Sequence, residues 1–206
     1  HDALWIAHET KYPGGAAAGY AAAEEAYGLC IKKLWGAENG NGYGYYVNHT
    51  SVMNLTAPIQ NGDDINAFVY TDLEHFSDVY CFFDRPALSA TAGESVTLTL
   101  CAAGYDENWD PIVTPLSTAV ILLDGNKTSY RTDQDGKVQF TLDEAKTYIV
   151  SAISDSAILV PPVCTLKIHP SAPQTADSLN SFAVPLLCAL TVVLFPLIGS
   201  KKSNEK

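Results

Sequence analysis

The chain has 206 residues, with 12 Lys and Arg against 23 Asp and Glu and a formal net charge of −11. That balance excludes nucleic acid as a partner, since a phosphate backbone calls for cationic surface, and it suits a solvated, exported protein. The length ahead of the C-terminal segment suffices for one or two domains of ordinary size. The chain opens at His1 with neither Met nor a basic-apolar leader. The expectation is therefore a signal peptide upstream, with these residues as the C-terminal piece of a longer precursor.

In chain order, Asp2 is a fair N-cap and Leu4, Trp5 and His8 recur at near-helical spacing, which predicts a helix over 2–8. Pro13-Gly14-Gly15 ends it, and the Ala, Gly, Tyr and Glu of 16–26 leave helix and loop both open. From Tyr27 the pattern turns to strands over 28–34, 43–48 and 66–70, with further apolar positions over 79–83. Asn39-Gly40-Asn41-Gly42 and Asn61-Gly62-Asp63-Asp64 supply the tight turns, because Gly and Asn tolerate positive φ. Asp84-Arg85-Pro86 reads as a joint between two domains, since Pro86 biases the preceding residue toward extended geometry and follows a closing apolar run.

Asp2-Ala3-Leu4, Tyr43-Gly44-Tyr45-Tyr46-Val47-Asn48 and Asn61-Gly62-Asp63 before an apolar strand resemble the bacterial surface-domain family named for its likeness to the C-terminal β domain of transcobalamin. The resemblance covers roughly residues 1–84 and implies a small α+β unit of mixed strands with a helix packed on one face. In the vitamin carriers the related domain closes over a corrinoid together with a helical barrel. No such barrel is visible in this sequence, and cobalamin binding does not carry over residue by residue.

After the joint the pattern is all-β. Val96, Leu98 and Leu100 alternate with polar Ser and Thr, the period of a half-buried strand. Strands over 119–123, 137–142, 148–153 and 159–168 continue the series, separated by Asp124-Gly125-Asn126 and Asp133-Gln134-Asp135-Gly136. This spacing predicts a sandwich over 86–169. The stretches Ala90-Thr91-Ala92-Gly93-Glu94-Ser95-Val96 and Thr132-Asp133-Gln134-Asp135-Gly136-Lys137-Val138 resemble the immunoglobulin-like and prealbumin-like spacers of bacterial surface proteins.

The end of the chain carries Ala172-Pro173-Gln174-Thr175-Ala176 in a linker over 170–181, an uncharged run over 182–199, and a basic tail over 200–206 with Lys201, Lys202 and Lys206. An uncharged run of that length is about the minimum that spans a bilayer core as a helix, and Pro185 and Pro196 make it an irregular one. The lysines behind it resist crossing, which predicts a C-terminal transmembrane helix with everything before it outside. Motif, spacer, apolar run and basic tail in this order resemble the cell-wall sorting signal of Gram-positive surface proteins, whose common motif is Leu-Pro-x-Thr-Gly. The resemblance implies a sortase whose cysteine attacks the Thr175 carbonyl and passes the chain to a peptidoglycan precursor. Ala172 stands where Leu is usual and Ala176 where Gly is usual, so the resemblance is to a variant signal. An uncleaved membrane anchor is the plain alternative.

The chemical candidates are sparse. Asp133, Asp135 and Gly136 imitate the start of a calcium loop, but the residue six beyond the Gly is Leu142, so a hairpin turn is expected. Asp106, Glu107 and Asp110 beside Trp109 read as solvated turn acids. His1, His8, His49, His75 and His169 lack metal spacing, and neither a nucleophile motif nor a phosphate loop appears. No cofactor is expected. Cys30, Cys81, Cys101 and Cys164 allow disulfides, with buried thiols as the alternative. The aromatics of the first domain suggest a ligand face at Trp35, Tyr43 and Tyr45, with Tyr43 and Tyr45 on one side of a strand and Tyr46 on the other.

The whole reads as a small N-terminal α+β domain (1–84), an all-β immunoglobulin-like sandwich (86–169) and a C-terminal transmembrane helix. The expected role is a non-catalytic, wall-anchored surface region for adhesion or capture of a host or nutrient ligand. Accessory domains of a surface enzyme whose catalytic domain lies upstream, and a corrinoid- or glycan-binding module, are the alternatives.

Overall fold

The computed structural model describes residues 1–171. The sorting motif (172–176), the rest of its linker, the apolar run over 182–199 and the basic tail lie outside the described residues. Among the described residues no helix is long and apolar enough to cross a membrane. The described chain is mostly β, with several sheets and two short helices.

Helix α1 (Asp2–Lys11) runs one turn further than the sequence suggests, to the Pro13-Gly14 break, and α2 (Gly15–Gly19) starts after Gly14 at φ 88°. Strands β1 (Ala21–Glu25) and β2 (Gly28–Lys33) form an antiparallel hairpin. β3 (Tyr43–Val47), β4 (Thr50–Ser51) and β5 (Ile65–Val69) make a three-stranded sheet in the order β4-β3-β5. Gly44 on β3 faces the Phe68 ring so closely that any side chain there would overlap it, which explains a glycine in the middle of a strand. The core of this region is small: Ala16, Tyr20, Ile31, Leu34, Tyr43 and Leu55.

Ten strands follow: β6 (Val79–Phe83), β7 (Ala87–Thr91), β8 (Ser95–Tyr105), β9 (Pro111–Pro115), β10 (Val120–Leu123), β11 (Asn126–Arg131), β12 (Lys137–Thr141), β13 (Thr147–Ile153), β14 (Leu159–Val160) and β15 (Cys164–His169). One sheet runs β11-β10-β13-β15-β7, and the other β12-β8-β6-β14 with β9 added along β8. Alternation along the strands aims Val96, Leu98, Leu100, Val138 and Phe140 from one sheet, and Ile121, Tyr148, Val150, Leu166 and Ile168 from the other, into one shared core. Each fully buried aliphatic there contributes about 1.5–3 kcal/mol. That burial is what holds the two sheets together.

The joint read at Asp84-Arg85-Pro86 needs correcting. β6 precedes it and β7 follows it, yet β6 pairs with β8 and β14 while β7 pairs with β15 in the opposite sheet. The chain therefore crosses here from one sheet of the sandwich to the other. Pro86 supplies the extended geometry of a crossing as well as it would that of a linker. Cys81 and Phe83 lie in the large core, so β6 belongs to the sandwich. Its other face is covered too: Tyr80 stacks on Tyr46 with ring centroids 3.8 Å apart, and Phe82 lies flat on His49 at 3.5 Å. Burial on both faces is why 79–83 reads as an unbroken apolar run.

Candidate binding cleft

Of the residues expected to form a ligand face, Tyr43 is the most committed to the interior. It is 6% exposed, and its hydroxyl accepts from Asn39 N–H at 2.9 Å and lies 2.9 and 3.0 Å from the carbonyls of Lys32 and Ala37, one of which takes its proton. The Tyr45 hydroxyl accepts from Ile31 N–H at 3.1 Å. Both rings point to one side of β3, as alternation requires. Together with Tyr27, Cys30 and Met53 they border an open hollow of about 450 Å³. Trp35 is not among the residues around that hollow. It is 48% exposed, sits at φ 47°, and stacks on His8 at 4.2 Å.

His8, fully buried, shows how its surroundings set a tautomer. Nδ1 lies 2.7 Å from the Leu4 carbonyl, which can only accept, and Nε2 accepts from Trp35 N–H at 2.9 Å. The proton therefore rests on Nδ1. Both ring nitrogens are used inside the fold, so His8 is a structural clamp between α1 and the turn after β2.

Cys30, Cys81, Cys101 and Cys164 are free thiols, which corrects the disulfide expectation; Cys81 and Cys164 are buried, as the thiol alternative has it, and Cys30 and Cys101 are partly exposed. Cys81 and Cys164 point into the large core from opposite sheets, whereas Cys101 pairs with Phe82 and so faces away from Cys81. Burial pushes the Cys81 thiol up to about 12 and the Cys164 thiol to about 11, and Cys81 donates to the Val160 carbonyl at 3.2 Å. Thiols held protonated in this way are weak nucleophiles.

The acidic turns are occupied by their own backbones. Asp106 Oδ1 accepts from the N–H groups of Asn108 and Asp110, and Asp133 Oδ1 from those of Asp135 and Lys137. These contacts hold the Asp106 carboxyl below the usual range. Among the described residues no group of three or more His, Cys, Asp and Glu converges on a metal position.

The structure brings together a set that sequence reasoning does not connect. Asn48 and His49 take positive φ (49° and 63°) in the two-residue turn between β3 and β4, a mirror-type hairpin turn whose twist suits the flanking strands. The turn carries the His49 ring onto Phe82 of β6. Its Nδ1 lies 3.0 Å from the Tyr80 hydroxyl and 3.7 Å from Asp64 Oδ2. The loop before β5 adds Asp63 and Asp64: Asp63 accepts from the Asn48 amide at 2.8 Å and from Gln60 N–H at 2.6 Å, and Asp64 accepts from the Asn66 amide at 2.8 Å.

Between this loop and the sheet crossing lies a cleft of about 610 Å³. It is lined by His49, Asp63, Asp64, Phe68 and Phe82, and by Pro86, Pro161, Pro162 and Val163. The prolines shape it. Parallel pairing of β14 with β6 runs through Leu159↔Val79 and Val160↔Tyr80 and stops there, because Pro161 and Pro162 have no N–H to continue it.

Burial lowers the affinity of His49 for a proton, opposed by Asp64. Burial, with Asp64 adding to it, raises the Tyr80 hydroxyl far above its ordinary value. Hydrogen bonds from Asn48 and Gln60 hold Asp63 below the usual carboxylate range. At neutral pH the cleft therefore offers fixed carboxylates, one imidazole and flat apolar faces, a set suited to binding. The only sequence signal for it is the pairing of a strand apolar on both faces with a distant Asn-His turn, and contact between the two follows from the tertiary fold. No protein-family model matches the chain, and no curated protein matches it either.

Proposed function

We propose that the chain is a non-catalytic, surface-displayed binding and stalk region of a wall-anchored bacterial protein. In this reading it consists of a transcobalamin-C-terminal-like α+β unit, an immunoglobulin-like sandwich and a variant sorting signal. The observation that carries it is the order Pro173-Gln174-Thr175, spacer, uncharged run and terminal lysines. What supports the immunoglobulin-like part is the strand order: the first strand is split between sheets, and its second half lies parallel to the last. The first region has a small core of its own within the one compact unit His1–Ser171, which supports reading it as a distinct part of the fold. The cleft beside it supports a binding role over a purely mechanical one.

Sortase chemistry needs an extended peptide with the Thr carbonyl open to attack, and Pro170 and Pro173 disfavour helix or ladder pairing around it. The apolar run would hold the motif at the membrane until transfer, and Lys201 and Lys202 would stop it slipping through. Thr175→Ala should leave export intact and keep the protein in the membrane fraction with its tail attached. In the unchanged protein, mass spectrometry of muramidase-released material should find a peptide ending at Thr175 joined to a wall fragment. An intact peptide running through Ala176 into the apolar run would reject covalent sorting.

A further inference from the structure

We infer that the cleft beside His49 is a recognition site for an arginine side chain, a guanidinium on an alkyl stem, presented by a partner polypeptide. Three features point the same way. The first is charge: Asp63, Asp64 and Asp84 line the cleft, and no Lys or Arg does so among the described residues. The three are not equally available. Asp63 is tied to Asn48 and Gln60, and Asp84 Oδ1 accepts from Thr99 N–H while its Oδ2 lies 3.6 Å from Arg85 Nε. Asp64 keeps the freest carboxylate, with one hydrogen bond from Asn66 and half its side chain open.

The second feature is shape. Pro86, Pro161, Pro162 and Val163 make an apolar wall on which an aliphatic stem can lie while its charged head stays wet, as long cationic side chains do on apolar surface. The third is the flat rings of the cleft, Phe68 and the His49–Phe82 stack, which suit a planar guanidinium better than a tetrahedral ammonium. A carboxylate beside aromatic faces is where Arg combines two-point pairing with stacking. The net charge of −11 adds long-range attraction for a cationic partner.

This deepens the binding role proposed above, and its test is separate from wall attachment: sorting can fail while the cleft binds, and the reverse. Titrate the full 206-residue chain in detergent with N-acetyl-arginine amide, with an Arg-containing hexapeptide and with its citrulline counterpart, following amide signals of 62–68 and 80–86. The Arg hexapeptide should bind with Kd below about 1 mM, a modest affinity for one buried anchor. The free amide should bind more weakly at the same residues, and citrulline should not bind measurably. A free amide as tight as the peptide would make the site one for a small guanidine and overturn the polypeptide part.

Asp64→Asn should weaken the peptide about threefold, the range of a single half-exposed ion pair. Asp64→Lys should weaken it by more than about tenfold, since attraction becomes repulsion. Trp109→Ala, far from the cleft in sequence and 80% exposed, should leave binding unchanged. Unchanged amide dispersion in each variant separates lost binding from lost folding. Equal binding of citrulline, or of the peptide by Asp64→Lys, overturns the inference.

Discussion

The two regions of this chain solve the same problem by different means. The sandwich core holds 16 buried residues, mostly aliphatic, and can rely on area alone. The hydrophobic core of the first region holds six, and two of those are tyrosines. A core that small leaves polar groups to hold position: the Tyr43 hydroxyl ties β3 to β2 and to the turn over 37–39, His8 bridges α1 and the turn after β2, and Tyr45 takes the Ile31 N–H midway along β2. The difference teaches where each is vulnerable. A lost methylene hurts the sandwich, and a lost hydroxyl hurts the first region.

The largest expected effect concerns the crossing at Pro86. A fragment over 86–169 lacks β6 and so loses Cys81 and Phe83 from the large core; it should show collapsed amide dispersion, while 77–171 should be dispersed. A dispersed spectrum from 86–169 would put the joint back at Pro86.

Next in size are point changes in the two cores. Leu98→Ala, at a fully buried site, should cost about 2–5 kcal/mol, through lost burial and the cavity left behind. Tyr43→Phe should cost about 1–2 kcal/mol, because it leaves Asn39 N–H and one of the facing carbonyls without a partner. Urea midpoints of the two variants check both. Should Tyr43→Phe prove neutral, the polar account of the small core fails.

The smallest effect is a pH dependence at the contact between regions. Burial lowers the His49 pKa, so the folded state favours the neutral ring. Its contribution is then complete above the unfolded value of about 6.5 and is lost as pH falls below it. The urea midpoint should drop slightly from pH 7.5 to 5.5, and His49→Gln should reduce that drop. The same drop in both proteins would assign it elsewhere.

Much of the architecture is legible in the sequence. The alternation of Val96, Leu98 and Leu100 marks the first half of β8, which runs on to Tyr105, and the Asn-Gly stretches lie in turns with Gly40, Asn41 and Gly62 at positive φ. Ala21–Glu25 gives no strand signal because Ala and Glu carry little β preference; pairing with β2 alone makes it one. Asn126–Arg131 and Pro111–Pro115 are strands with little or no buried face, so no alternation marks them. Tyr43 and Tyr45 are rightly placed on one side of β3, but that side proves largely interior, and the other is covered by β6. Which face meets which is a tertiary matter. The cleft is hidden for the same reason: His49 and Phe82 are 33 positions apart, and only the fold stacks them.

The parallel course of β7 and β15 has a mechanical consequence. Five registered pairs, from Thr165↔Ala87 to His169↔Thr91, join the strand by which the chain enters this sheet to the strand by which it leaves. A pull between the two ends of the sandwich acts at opposite ends of these neighbours and runs along them, across their hydrogen bonds. The load falls on all five pairs together, where an antiparallel arrangement would let them peel apart one at a time. β6 and β14 meet the pull in the same orientation ahead of them. The topology that hides the sheet crossing from the sequence is thus also one that resists being drawn out lengthwise.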